Sequence, residues 1–179
     1  AAVKASDCSD CIAGKYSSVG TSVCFSCPTG FYRDANQEAS KCVECPVGSF
    51  GVKEVADKLS DCELCPIGYY SYVVGGTSCQ KCLKGKFSNI VGRTDLIECT
   101  FCSSGKYNDV VASSECKWCD SGKINTETGR ESAQNCISCA VGRYEYADQS
   151  ETKRRLSCHG CPSGRYNPLT SGGNIISCK

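Results

Sequence analysis

A chain of 179 residues has the length of one ordinary domain, yet Leu, Ile, Val and Phe together number only 32, too few for a single core of that size. A formal charge of +1 excludes self-repulsion as the reason and gives no electrostatic ground to expect nucleic acid as a partner. Cysteine, at 19 of 179, exceeds the roughly 8–10% that marks a disulfide scaffold, so covalent staples are expected to replace hydrophobic burial.

In chain order, Ala1 to Asp7 contains no apolar run and has no resemblance to a signal peptide. Cys-x-x-Cys dyads then open at Cys8, Cys24, Cys42, Cys62, Cys79, Cys99, Cys116, Cys136 and Cys158, with a tenth opening at Cys178. The period divides the chain into one continuous array with repeats at about 8–23, 24–41, 42–61, 62–78, 79–98, 99–115, 116–135, 136–157 and 158–177. The tenth dyad is cut at Lys179, so the sequence reads as a piece of a longer chain.

Each dyad is followed by one phrase, clearest in Cys65-Pro66-Ile67-Gly68-Tyr69-Tyr70: glycine three positions after the cysteine and an aromatic two positions later. The pairs are Gly14 with Tyr16, Gly30 with Tyr32, Gly48 with Phe50, Gly68 with Tyr70, Gly85 with Phe87, Gly105 with Tyr107, Gly142 with Tyr144 and Gly164 with Tyr166. Only Gly122 departs, with Ile124 in place of the ring. A glycine there suits a turn that needs positive φ, or a backbone passing close by. Proline at Pro28, Pro46, Pro66 and Pro162 fixes the chain as it leaves the cysteine. The ring is expected to fold over the sulfurs and the next repeat's backbone, a small cluster in place of a core.

Regular structure is expected to be thin. Residues 69–74 and 86–91 have strand composition and end in Gly75-Gly76 and Gly92, which predicts short hairpins. Val52, Val55, Ala56 and Leu59 form one set of helical spacing, enough for a turn or two. Apolar runs of about four residues are too short for a membrane span. No Asn-x-Ser/Thr sequon is present, although the abundant Ser and Thr could carry O-linked glycans.

Which cysteines pair is left open by the count. The second cysteine of each dyad can bond the first of the next, or neighbouring dyads can interlace first to first and second to second. Zinc-ribbon spacing is a third reading of such dyads, opposed by their uninterrupted series, the single histidine and the lack of a basic surface. A thioredoxin-like redox role lacks its βαβ context.

The phrase Cys-Pro-x-Gly-x-Tyr followed by Cys-x-x-Cys resembles the cysteine-rich repeats of ephrin-receptor-like modules and tumour-necrosis-factor-receptor domains, and it recurs from Cys8 to Cys178. Long uniform arrays of this kind are also similar to segments of large surface proteins in algae and protists. The resemblance implies a small disulfide-rich fold: an elongated, extracellular solenoid or ladder of about nine disulfide loops. It also implies that each loop closes onto the next dyad, pairing Cys11–Cys24, Cys27–Cys42, Cys45–Cys62, Cys65–Cys79, Cys82–Cys99, Cys102–Cys116, Cys119–Cys136, Cys139–Cys158 and Cys161–Cys178. Cys8 then awaits a partner upstream. The chain departs from the receptor family in lacking a mid-loop cysteine and alternating module types.

Catalysis finds no support. His159, the only histidine, is a spacer inside a dyad with no triad partners, and Trp118 inside Cys116–Cys119 reads as packing. Lys153-Arg154-Arg155 stands at the tip of the longest loop as a solvated cluster, and loop 139–158 is where a ligand would be sought. The expectation is a non-enzymatic extracellular structural protein, a rod-like segment of a filament, stalk or matrix, without cofactor or metal and partnered by other copies or chains of its assembly. The competing expectation is a receptor or adhesion ectodomain that binds a protein ligand.

Overall fold

The computed structural model describes residues 9–146, 157–173 and 177–179. Cys8 and the Lys153-Arg154-Arg155 cluster lie outside the described residues, as does most of the tip of loop 139–158. Nine disulfides tie successive dyads together, from Cys11–Cys24 through Cys161–Cys178, and each joins the second cysteine of one dyad to the first of the next. The bonds divide the chain into nine loops, numbered here 1 to 9 from Cys11.

Every loop starts the same way. A turn brings the N–H of the residue after glycine back to the residue after cysteine, as in Phe31 N–H to Pro28 C=O at 3.1 Å and Tyr69 N–H to Pro66 C=O at 3.1 Å. Glycine holds the third corner of that turn with φ between 72° and 85° in all nine loops, a conformation that side chains with a Cβ resist. In loops 1 to 8 two or three extended residues follow and pair with residues of the next dyad. The strands are β1 (Lys15–Tyr16), β2 (Phe25–Ser26), β3 (Phe31–Tyr32), β4 (Val43–Glu44), β5 (Ser49–Phe50), β6 (Glu63–Leu64), β7 (Tyr69–Tyr70) and β8 (Gln80–Lys81). They continue as β9 (Lys86–Phe87), β10 (Thr100–Phe101), β11 (Lys106–Tyr107), β12 (Lys117–Trp118), β13 (Lys123–Ile124), β14 (Ile137–Ser138), β15 (Arg143–Glu145) and β16 (Cys158–Gly160). Each consecutive pair is its own two-stranded sheet. Two residues per strand cannot hold a hairpin alone. The disulfide beside it, with Cα atoms 5.5–5.8 Å apart, closes what the strands leave loose.

The chain forms two compact units: Ala1–Gln80 with Ile90–Glu98, and Lys81–Asn89 with Cys99–Lys179. In the first unit, loop 3 is joined to loop 2 by three backbone hydrogen bonds. Gly30 N–H donates to Gly51 C=O at 2.9 Å, Arg33 N–H to Ala56 C=O at 3.1 Å, and Val55 N–H to Cys27 C=O at 3.1 Å. Loop 4 repeats the set on loop 3 through Gly48 to Ser71, Gly51 to Gly76 and Gly75 to Cys45. In the second unit, loop 6 joins loop 5 through Gly85 to Asn108, Ser88 to Ser113 and Ala112 to Cys82. Loop 7 joins loop 6 through Gly105 to Asn125, Asn108 to Arg130 and Gly129 to Cys102, and loop 9 joins loop 8 through Gly142 to Asn167, Glu145 to Gly172 and Ser171 to Cys139. Backbone polar groups that would otherwise need water are thus satisfied by the neighbouring loop.

The helical spacing at Val52, Val55, Ala56 and Leu59 does not make a helix. Val55 has φ 59°, a left-handed conformation that ends helical geometry, because its N–H is drawn to Cys27 and its carbonyl lies over Gly14. Ala56 bridges to Tyr32 and is buried there, while Leu59–Asp61 is a single 3-10 turn. Apolar spacing at 52, 55, 56 and 59 reflects two different contacts. The strand-like stretches are also shorter than expected, since pairing stops at Tyr70 and Phe87 and the following residue turns inward.

That inward residue, immediately after the aromatic, forms a polar interior. Arg33, Ser71, Ser88, Asn108, Asn125, Glu145 and Asn167 are all buried there. Asn108 Nδ2 donates to Lys86 C=O at 2.6 Å, and its Oδ1 accepts from Val110 N–H at 3.2 Å. Asn125 and Asn167 make the same pair of contacts to Lys106 and Glu127, and to Arg143 and Leu169. In loop 2 the place is filled by Arg33, whose guanidinium donates to the carbonyls of Lys15, Ile12, Cys11 and Gln37. Replacing Asn108 by Ala should cost about 1–3 kcal/mol by leaving the Lys86 carbonyl and Val110 N–H without partners. The check is amide exchange at Val110 and Asn108, which should accelerate while Asn167 and Leu169 stay protected.

Candidate functional site

Most of the repeat signature residues are buried or half-buried. Glycines from Gly14 to Gly122 are buried, because a turn two loops further on lies against each one observed: Val55 on Gly14, Gly75 on Gly30, Gly92 on Gly48, Gly129 on Gly85 and Ser171 on Gly122. Gly142 and Gly164 are exposed, with no described atom within 4 Å of a Cβ placed there. Tyr32 packs on the Cys45–Cys62 disulfide and Ala56, and Tyr70 is buried with its hydroxyl donating to Gln80 Oε1 at 2.9 Å. Burial raises the Tyr70 phenol above its ordinary pKa. Tyr16, Phe50, Phe87, Tyr107, Ile124 and Tyr144 are half-buried, and Tyr166 is 63% exposed.

Eighteen cysteines are held in disulfides and offer no thiolates. No cluster of three or more His, Cys, Asp or Glu suited to a metal ion occurs among the described residues. His159 lies between two rings, 4.6 Å from Tyr146 and 6.2 Å from Tyr144, with Nε2 3.0 Å from Ser157 Oγ. Both ring contacts are tilted.

The surface with most chemistry lies in the second unit. Two successive hairpins, β9 with β10 and β11 with β12, set Lys86 opposite Phe101 and Lys106 opposite Trp118. Both lysines bend over the ring across the strand, with Nζ 4.3 Å from the Phe101 centroid and 4.2 Å from that of Trp118. Such a contact contributes about 0.5–1 kcal/mol at an exposed site and holds the ammonium without neutralising it. Between the hairpins lies an open groove of about 440 Å³, lined by Phe87, Phe101, Trp118, Lys106, Lys117 and Glu115 among others. Phe101 is 58% exposed. Lys117 is different: its ammonium donates to Asp109 Oδ1 at 2.7 Å, which raises the lysine pKa and lowers that of the aspartate. Among the described residues neither Lys86 nor Lys106 has such a carboxylate. A second hollow, in the first unit beside Pro46, Leu59, Cys62 and Leu64, is almost wholly apolar and has no charged group to orient a ligand.

Residues 14–62 and 53–95 match the family model described as tyrosine-protein kinase ephrin type A/B receptor-like. Residues 14–95 are thus similar to ephrin-receptor-like cysteine-rich repeats. Beyond this span, hairpins of the same form continue to Gly160 and disulfides to Cys178. None of the curated proteins compared matches the chain. Nine disulfides imply an oxidising, extracellular setting. Among the described residues no helix is long and apolar enough to cross a membrane.

Two features escaped the sequence reading. The buried residue after the ring was visible as Gly-x-Tyr-Asn at Gly105–Asn108 and Gly164–Asn167, and as Asn125 after Ile124. The second is charge. A net +1 conceals 13 Lys and Arg against 8 Asp and Glu in the second unit, and 7 against 11 in the first. The balance is global, and it says nothing of either unit alone.

Proposed function

We propose that this chain is a non-enzymatic structural segment of an extracellular assembly, a rod-like spacer in a filament, stalk or matrix whose partners are other copies or other chains. The observation carrying this reading is the backbone ladder. The same three hydrogen bonds join loop 2 to 3, 3 to 4, 5 to 6, 6 to 7 and 8 to 9, and every loop is closed by a disulfide. Attachment through main chain and disulfides tolerates any side chain on the outside and resists extension without a shared core. Small-angle scattering of the oxidised chain tests it. An extended profile is expected; a radius of gyration near the roughly 16 Å of a compact chain of this length would overturn the rod. The groove between Phe101 and Trp118 favours a second reading, a binding ectodomain.

A further inference from the structure

We propose that the second unit binds a linear carboxylated polysaccharide along the groove lined by Phe101, Lys106 and Trp118, with Lys86 held on the Phe101 ring.

The argument starts with the lysines. Lys53, Lys117 and Lys123 lie against the carboxylates of Asp61, Asp109 and Asp120. Lys86 and Lys106 lie on ring faces instead. The ring restricts the side chain but leaves its full charge, so two ammoniums are pre-ordered for an anion with less rotamer entropy left to lose on binding. Both belong to the unit in which basic residues outnumber acidic ones by 13 to 8, so the surrounding field favours an anion.

The periodicity selects the kind of anion. The first strand residue of each hairpin in this unit is basic: Lys86, Lys106, Lys123 and Arg143. In the first unit the same place holds Lys15, Phe31, Ser49 and Tyr69. One cation per loop at a fixed position suits a polymer with a charge at a fixed repeat. The groove is lined by the rings of Phe87, Phe101 and Trp118, and flat ring surface suits the C–H face of a pyranose. An extracellular disulfide array meets such polymers in its own compartment.

The test is calorimetric titration of the whole oxidised chain with an octamer of 1,4-linked galacturonate. Its fully methyl-esterified form and octaglutamate serve as comparison ligands. The proposal expects binding of the acidic octamer that weakens with added salt, and no binding of the neutral one. The double variant Lys86→Gln/Lys106→Gln should bind at least about tenfold more weakly, the scale of one charge-assisted hydrogen bond. Lys53→Gln, in the first unit and paired with Asp61, should change affinity by less than about twofold, within the value of an exposed pair. Trp118→Phe keeps a ring and should retain most of the affinity, while Trp118→Ala should lose it together with the order of Lys106. Equal binding of the esterified octamer, an unaffected lysine double variant, or no binding would each overturn the site. Octaglutamate binding as tightly would replace the polysaccharide by an acidic peptide. Extended scattering with no glycan binding would leave the structural reading in place and remove only this one.

Discussion

Gly85→Ala should be among the most damaging single substitutions in the second unit, on the order of 3–4 kcal/mol. Gly85 has φ 74°, where a Cβ costs about 1–2 kcal/mol by itself. The larger part is space, because the Gly129 carbonyl of loop 7 occupies the position that the new methyl would take. Backbone cannot rotate away as a side chain can, and Gly129 is tied through its own N–H to Cys102 at 2.7 Å. Relief would break the step between loops 6 and 7. Gly142 is the control: φ is 72°, yet nothing described lies within 4 Å of its Cβ. Gly142→Ala should therefore cost only the conformational share, about 1–2 kcal/mol. Chemical denaturation under oxidising conditions compares the two. Equal effects would mean that the approach of the second loop onward contributes nothing, and that glycine is required here for φ alone.

The fold class was legible because its cause is local. Cysteine at a 16- to 22-residue period, glycine at a turn corner and an aromatic two positions on describe one loop, and the chain repeats it. What joins loops was not legible. Val55 read as helix because the spacing of Val52, Ala56 and Leu59 around it carries no mark of a left-handed residue drawn onto Cys27 two dyads earlier in the array. Asn108 and Arg33 were passed over since polar residues are normally outside. Here the interior is narrow and made of carbonyls, so a donor fits better than a methyl group. The ring-held lysines follow from cross-strand register, which puts Lys106 opposite Trp118 although they are twelve residues apart. Register depends on the turn and on which cysteines close the loop. The groove appears only after both are fixed.

Replacing Cys102 and Cys116 together by Ser should remove about 2–4 kcal/mol and unfold locally rather than globally. Cys102 is fully buried, so two hydroxyls would replace a covalent bond in a place that offers them no planned partners. Loop 6 is held by three backbone bonds to loop 5 and three to loop 7. Those six are the routes by which damage travels, and each ends on a loop with its own disulfide, Cys82–Cys99 or Cys119–Cys136. Amide exchange resolved by loop should therefore show protection lost at Asn108 and Ala112, reduced at Gly85, Ser88 and Gly129, and unchanged at Arg33, Gly51 and Glu145. The groove between Phe101 and Trp118 should open at the same time, because β12 lies between Cys116 and Cys119 and loses one of its two anchors. Loss of protection in all nine loops at once would require a core common to the chain, and the nearest-neighbour ladder would be the wrong description of what holds it together.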